Sequence, residues 1–403
     1  MMSDDIPVID PNAWREQFPI TQKTVYMISN SLGAMPRSTR DNLNRYADIW
    51  EARGVRSWAE GWWVKQNDLA EHFSQILGVP ASALSLHQNV TMASAVFASS
   101  LRFDSPRNKI VYTDMNFPTI MYLYDGIARQ HGARVVRVES PDGIGVPTEK
   151  LLDAIDEETA LVPISHVLFR SSFIQDAQTI VEKARRVGAI VVLDVYQSVG
   201  CIPLELHKWG VHAAVGGPLK FCCGGPGSCF LYVDPELCQE LAPAYTGWMA
   251  HKQPFDFDTG PIDRREDGWR FLHGTPNVPG LFAAEEGVRI CAEIGMEAVR
   301  KHSMKQTQLI WETAQELGLK STAPENPEQR GGTIAIDAPH GYEVCQELLA
   351  RDFIVDYRPK AGVRIAPHFY TLDEECVATV HQIRKILDSK AYEKHLGQEK
   401  RPG

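Results

Sequence analysis

Gly188-Ala189-Ile190-Val191-Val192-Leu193 carries no polar side chain over six positions and runs directly into Asp194. A strand this apolar has to be covered on both faces, which places it at the centre of a sheet with layers above and below. Shorter apolar runs repeat the theme at Leu84-Ser85-Leu86, Ile110-Val111-Tyr112-Thr113, Val135-Val136-Arg137-Val138, Ala160 to Ser165, Ala213 to Gly216 and Phe230 to Val233. Between them lie stretches of helical character, from Met92, Ile120 to His131, Leu151 to Ile155 and Ala177 to Val187. Strands alternating with helices through residues 80 to 240 predict an α/β chain: a mostly parallel sheet with helices on both faces. Such sheets bind ligands at the carboxyl ends of their strands. Thr91, Phe117, His166, Asp194 and Lys220 all fall there.

The rest of the chain divides around this block. Residues 1–30 read as an N-terminal segment packing with a small domain, 31–285 as the large domain, 286–390 as a long linking helix with a smaller α+β domain, and 391–403 as a frayed tail. One helical pattern runs from Pro279 to Gly318. The polar stretch Ser321 to Gly332 reads as a loop into the small domain, with strands near Thr333 to Ile336 and Val363 to Ala366. A net charge of -10, without a block of lysine and arginine, excludes a nucleic-acid partner. Eight cysteines without CxxC or Cys/His spacing read as reduced thiols of a cytoplasmic protein and offer no metal site. The acidic start Met1-Met2-Ser3-Asp4-Asp5 has no apolar signal region, and no run reaches the roughly 18 apolar residues of a membrane span, so no membrane association is expected.

An acid at the end of a buried strand, then a lysine where a later strand meets a loop, then the glycine turn Gly224-Gly225-Pro226-Gly227, is what a pyridoxal phosphate (PLP) site needs. The lysine forms a Schiff base with the aldehyde and the acid keeps the pyridine nitrogen protonated. Val90 and Thr91 open a helix, where free N–H groups and the positive end of the dipole hold a phosphate; Asn89 or Thr91 serves equally well as a simple cap. Asn30-Ser31-Leu32-Gly33, after the strand-like Thr24 to Ile28, is a turn able to face a ligand or an ordinary one. Trp50, Trp58, Trp62 and Trp63 lie close together and read as core or dimer contact.

Taken in order, Asn30-Ser31-Leu32-Gly33, Arg56-Ser57-Trp58, Asn116-Phe117-Pro118-Thr119, the Asp194 to Lys220 segment with its glycine tail, Gly247-Trp248, Gly274-Thr275 and Val363-Arg364-Ile365-Ala366-Pro367 resemble the fold-type I, class V aminotransferase superfamily of PLP enzymes. Within it, the chain is most similar to the kynureninases, over nearly its whole length. The resemblance implies a fold-type I large domain plus a small domain, with Lys220 as the Schiff-base lysine and proton shuttle. It implies Asp194 at the pyridinium nitrogen, Phe117 stacked on the ring, and Gln197 beside the cofactor. Val90, Thr91 and Trp248 would hold the phosphate, with Thr275 reaching in from a second subunit of a homodimer whose active sites lie at the interface. Arg364 would take the carboxylate of a small amino-acid substrate, a task suited to its planar fork, with Asn30 and Ser31 nearby.

The chain departs from kynureninases at two places. They resemble one another in having a tyrosine just before the lysine and a histidine three residues after the aspartate; here those positions are Leu219 and Gln197. Leucine cannot donate to a phosphate or move a proton, and glutamine hydrogen-bonds without titrating. The family reaction removes the Cα proton, hydrates a γ-carbonyl and breaks Cβ–Cγ, releasing alanine and anthranilate from kynurenine. That reaction, on kynurenine or an analogue, is the first expectation. The alternatives are a class V aminotransferase, β-lyase or epimerase, or a non-catalytic relative. A cysteine desulfurase is disfavoured because Ser321 to Gly332, the candidate mobile loop, contains no cysteine.

Overall fold

The computed structural model describes residues 6–103 and 106–399. Its first strand, β1 (Val25–Tyr26), joins a later part of the chain. The next seven build the main sheet: β2 (Leu84–His87), β3 (Lys109–Thr113), β4 (Arg134–Val138), β5 (Thr159–Ser165), β6 (Ile190–Asp194), β7 (Ala213–Gly216) and β8 (Cys229–Val233). They lie in the order β2-β8-β7-β6-β5-β3-β4. Strand β8 runs antiparallel to both neighbours, and the other pairs are parallel.

The alternation of side chains explains why this sheet is enclosed. Val191, Leu193, Val162, Ile164, Ala214, Phe230 and Tyr232 enter one hydrophobic core, whereas Val192, Leu161, Ala213, Val215, Leu231 and Val233 enter another. Successive residues of a strand point to opposite faces, so both faces are dry. Ala93, Val96 and Phe97 of helix Val90–Ala98 and Ile120, Tyr124 and Ala128 of helix Pro118–His131 cover one face. Leu69, Phe73 and Ile76 of helix Lys65–Leu77 and Ile180, Val181 and Ala184 of helix Ala177–Val187 cover the other. Each fully buried Val, Leu or Phe contributes roughly 1.5–3 kcal/mol of transfer free energy.

The continuous helix expected over Pro279 to Gly318 is two, Val278–Ile294 and Met296–Glu316, broken at Gly295, which has φ +83°. Residue 285, where the large domain was expected to end, lies within the first of these helices. Beyond it, β9 (Lys320–Ser321), β10 (Ile334–Asp337), β11 (Phe353–Ile354), β12 (Asp356–Arg358) and β13 (Gly362–Ile365) complete the set. Four of them form an antiparallel sheet in the order β12-β13-β10-β9. β1 pairs in parallel with β11, Ile28 bridges Ala366, and Met27 is buried in the small domain's core beside Ile334, Val344, Val363 and Val380.

The tail expected to fray from residue 391 instead forms a 3-10 turn, Ala391–His395, because Lys394 and His395 both reach the buried carboxylate of Glu347, at 2.7 and 3.0 Å. Residues 1–5 and 400–403 of the two terminal segments lie outside the described residues. The N-terminal turn is fastened to the large domain as well: Gly33 N–H donates to the Leu219 carbonyl at 2.9 Å. A Cβ on Gly33 would lie 2.1 Å from the Lys220 carbonyl oxygen and 2.7 Å from Cys223 Cα, both backbone atoms without freedom to yield. Gly33→Ala is therefore expected to lower stability by about 1–3 kcal/mol, the usual cost of overpacking. A thermal melt unchanged from wild type would contradict this close approach.

Candidate active site

A cavity of about 220 Å³ opens at the carboxyl ends of β5, β6 and β7. Val90, Thr91, Phe117, Asp194, Gln197 and Lys220 line it together, as do Leu219, Tyr196 and Phe169. Each arrives there for a local reason. Asn89 caps helix Val90–Ala98, its side chain accepting from Met92 N–H at 3.0 Å, which leaves Val90 and Thr91 in the first turn with amides facing outward. Phe117 sits in extended conformation just before Pro118, the first residue of the next helix, and is 44% exposed over the cavity. Asp194 ends β6, and one carboxylate oxygen accepts from Tyr196 N–H at 2.9 Å.

Lys220 follows β7 on the loop. Its Nζ stands 4.8 Å from the centre of the Tyr196 ring and 5.7 Å from that of Phe117. Burial disfavours the ammonium and pulls its pKa down to about 8, against an opposing pull from Asp194; Arg364 and Arg358 push in the same direction as burial. Burial raises the Asp194 carboxyl, opposed by the Tyr196 amide and the Lys220 charge. An amine that is neutral within reach of physiological pH, a buried carboxyl that can accept a ring N–H and a flat aromatic face fit a pyridoxal group. A helix start suits its phosphate.

The N-terminal turn borders this site. Gln197 Nε2 donates to the Asn30 carbonyl at 3.2 Å, and Asn30 is 1% exposed with neither side-chain polar atom partnered. A buried amide without protein partners is costly, and a water or a ligand is the usual remedy. Ser31 is half-buried on the same turn, its N–H bonded to Ile28, and does not line the cavity.

Arg364 is buried next to the cavity, in contact with Phe169 of its lining. Its Nε and Nη2 hold both oxygens of Asp356, with Nε at 2.7 Å, and Nη1 donates to the carbonyl of Phe169 at 2.8 Å. Three of its five N–H groups are thus already spent. Trp248 and Thr275 are not brought to this cavity within one chain. Trp248 packs against Trp63 and Phe257, with centroids 5.3 and 5.9 Å apart, and Thr275 lines a separate small cavity with Gln88 and His273. His166 turns away, its Nδ1 2.8 Å from Ser198 Oγ. The residue that sequence reasoning passed over is Tyr196, two positions beyond Asp194. The only signal was an aromatic hydroxyl between the acid and Gln197.

The family model for "Aminotransferase class-V" matches residues 25–354. Among curated relatives, a kynureninase of Pseudomonas fluorescens is 31% identical over 399 residues, covering 94% of this chain and 92% of that one. A kynureninase of Burkholderia pseudomallei is 29% identical with the same coverage, 94% and 92%. Among solved structures, the apo cysteine desulfurase from Thermococcus onnurineus NA1 superposes with a TM-score of 0.83 at 20% identity, over 96% of this chain and 100% of that one. A mutant of C-DES with glycine covalently linked to its PLP cofactor gives 0.84 at 19% identity, over 92% and 98%. These two likenesses establish the fold.

The chemistry of Lys220 can be read directly. The neutral amine is the reactive form, so cofactor-free protein is expected to couple an added aldehyde at Lys220 with a midpoint near pH 8, not near the ordinary lysine value of 10.5. Asp194→Asn removes the anion that holds the proton on, and should move the midpoint lower. Borohydride trapping and peptide mass spectrometry across pH measure both; a midpoint near the ordinary value would contradict the enclosure of Lys220.

Proposed function

The chain belongs to the aminotransferase class-V family as a kynureninase-like, PLP-dependent enzyme, and from that premise we propose that it is a hydrolase cleaving the Cβ–Cγ bond of an amino acid with a γ-carbonyl, kynurenine or an analogue. The observation that carries the reading is whole-length kinship: the match to kynureninases spans 94% of the chain and so takes in both the sheet and the small domain that supplies Arg364. When bound, the cofactor supplies an electron sink for the carbanion formed at Cα.

The chain's own residues divide the remaining work. Lys220 holds the cofactor and, as an amine with a pKa near 8, takes and returns the Cα proton. Asp194 keeps a proton at the ring nitrogen, and Phe117 covers one face. The first-turn amides at Val90 and Thr91 hold the phosphate, joined in a homodimer by Trp248 and by Thr275 of the other subunit. The two unspent N–H groups of Arg364 and the unpartnered amide of Asn30 receive the substrate carboxylate, with Ser31 on the same turn. A cytoplasmic setting accords with eight unpaired cysteines, and no helix among the described residues is long and apolar enough to cross a membrane.

A desulfurase would need a thiol that a substrate sulfur and an acceptor can both reach. All eight cysteines are buried, and burial pushes Cys201, Cys223 and Cys229 up, away from the reactive thiolate.

The deciding experiment incubates the purified PLP-loaded protein with kynurenine or 3-hydroxykynurenine and follows release of the fluorescent anthranilate, with alanine as co-product. Lys220→Ala should abolish release. Arg364→Ala should raise KM about 10- to 100-fold, the loss of a charge-assisted hydrogen bond, with a smaller effect on kcat. Conversion of the cofactor to its amine form, reversed by a keto acid and without anthranilate, would replace the hydrolase with an aminotransferase.

A further inference from the structure

Among the described residues lining the cavity, Tyr196 carries the only phenol. We propose that its hydroxyl donates a hydrogen bond to the cofactor's phosphate, doing the work of the tyrosine that this chain lacks at position 219. The proposal rests on the reading of Lys220 as the residue that holds PLP.

The course of the side chain supports this assignment. Tyr196 leaves the end of β6 beside Asp194, and its ring passes beneath Lys220 Nζ at 4.8 Å. A Cβ placed on Gly217, at the end of β7, would lie 3.0 Å from Tyr196 Oη, 3.0 Å from the Ser228 carbonyl and 3.1 Å from Cys229 Cβ. The phenol therefore crosses the end of β7 and finishes against the start of β8. Cys229 there is the register partner of His87, the last residue of β2, and β2 leads directly into Asn89 and helix Val90–Ala98. The hydroxyl thus ends on the side of the helix start, where a phosphate is favoured, across two strands from Asp194.

Among the described residues no group hydrogen-bonds Tyr196 Oη. The Tyr196 hydroxyl, on a half-buried residue that lines the cavity, is thus free to donate to a ligand oxygen. Burial also pushes the Tyr196 hydroxyl up, so that it stays protonated throughout the physiological range. It is a donor and not a base. A phenol at position 219 has two possible uses, phosphate binding and proton transfer, and Tyr196 restores the first alone. Gly217 is the matching half of the arrangement, because any side chain there would claim the space of the hydroxyl.

The test titrates cofactor-free wild type and Tyr196→Phe with PLP and with pyridoxal, which has the same aldehyde and ring but no phosphate. Bound cofactor is read by absorbance and by borohydride trapping on Lys220, and the phosphate by 31P NMR of the loaded protein. Tyr196→Phe is expected to weaken PLP about tenfold or more, to leave pyridoxal within twofold, and to shift the 31P resonance. Adding Leu219→Tyr to it should recover PLP affinity. Gly217→Ala keeps the phenol but displaces it, is expected to give the same selective loss, and decides the matter if Tyr196→Phe does not fold. Unchanged PLP affinity in both variants, or equal losses for PLP and pyridoxal, overturns the proposal while leaving Lys220 as the cofactor lysine. Wild type that takes up no PLP on Lys220 overturns both.

Discussion

The carboxyl edge of the sheet is governed by the cost of keeping one lysine ammonium out of water next to one aspartate. Enclosure lowers Lys220 and raises Asp194, and each charge counters the other's desolvation. The two environments move the pair toward each other on the pH scale. A lysine in water would be protonated nearly all the time, and a carboxyl in water nearly never; here the first is brought close to neutrality and the second nearer to holding a proton. An amine brought down in this way is suited to proton transfer near neutral pH. The position of the pair follows from the fold, since β6 and β7 are adjacent and in parallel register, Asp194 against Val215, and both end at the same edge.

A second buried carboxylate organises the small-domain side. Asp356 is fully buried and held by Arg364 and by Arg358, whose Nη2 is 2.9 Å away. A buried charge of this kind is tolerated only when it is paired and hydrogen-bonded on all sides. Two guanidiniums to one carboxylate leave the cluster net positive, and both arginines lie close enough to push Lys220 down. The same cluster therefore assists the lysine toward its neutral form and prepares the region for an anion. It also ties the two sheets, because Arg364 of β13 donates to the carbonyl of Phe169, which follows β5. The N-terminal turn makes a second tie, pairing β1 with β11 while Gly33 holds Leu219.

What was legible in the chain was its periodicity. The apolar run at Gly188 to Leu193 implied a strand buried on both faces, and Val191 and Val192 indeed enter opposite cores. Asp194, Lys220, Val90, Thr91, Phe117 and Gln197 were locatable because each lies at a strand end or a helix start, and strand ends converge in a parallel sheet. The state of Arg364 was not legible, since its pairing with Asp356 depends on the register of β12 against β13. Nor was the break between the two long helices, where one glycine interrupts an otherwise continuous apolar pattern. Trp248 and Thr275 mark a different limit: they were placed by the resemblance alone, and within the chain one packs against Phe257 and the other lines a separate cavity. Tyr196 was hidden because its importance depends on the missing side chain at Gly217, on another strand.

The two positions where the chain differs from kynureninases act in the same direction. Gln197 is fixed by its bond to the Asn30 carbonyl, which leaves its amide oxygen and one N–H for other partners and no proton to gain or lose. Leu219 contributes no hydroxyl. His166, the histidine next to Asp194 in the sheet, is enclosed, lowered to about 4 and engaged with Ser198, so it stays neutral and outside the cavity. Tyr196 is held protonated by burial. Proton traffic within the cavity thereby falls on Lys220, with Asp194 confined to its own partner. A site stripped of auxiliary titrating groups can still remove and return one proton at Cα with a single amine. Any further acid or base that the proposed hydration of a γ-carbonyl requires would come from outside the titrating groups that line this cavity. Under the proposed hydrolysis the substrate's own chemistry would be part of the mechanism, and an amino acid whose γ-carbonyl hydrates readily would suit this cavity better than one that needs a phenol to help it.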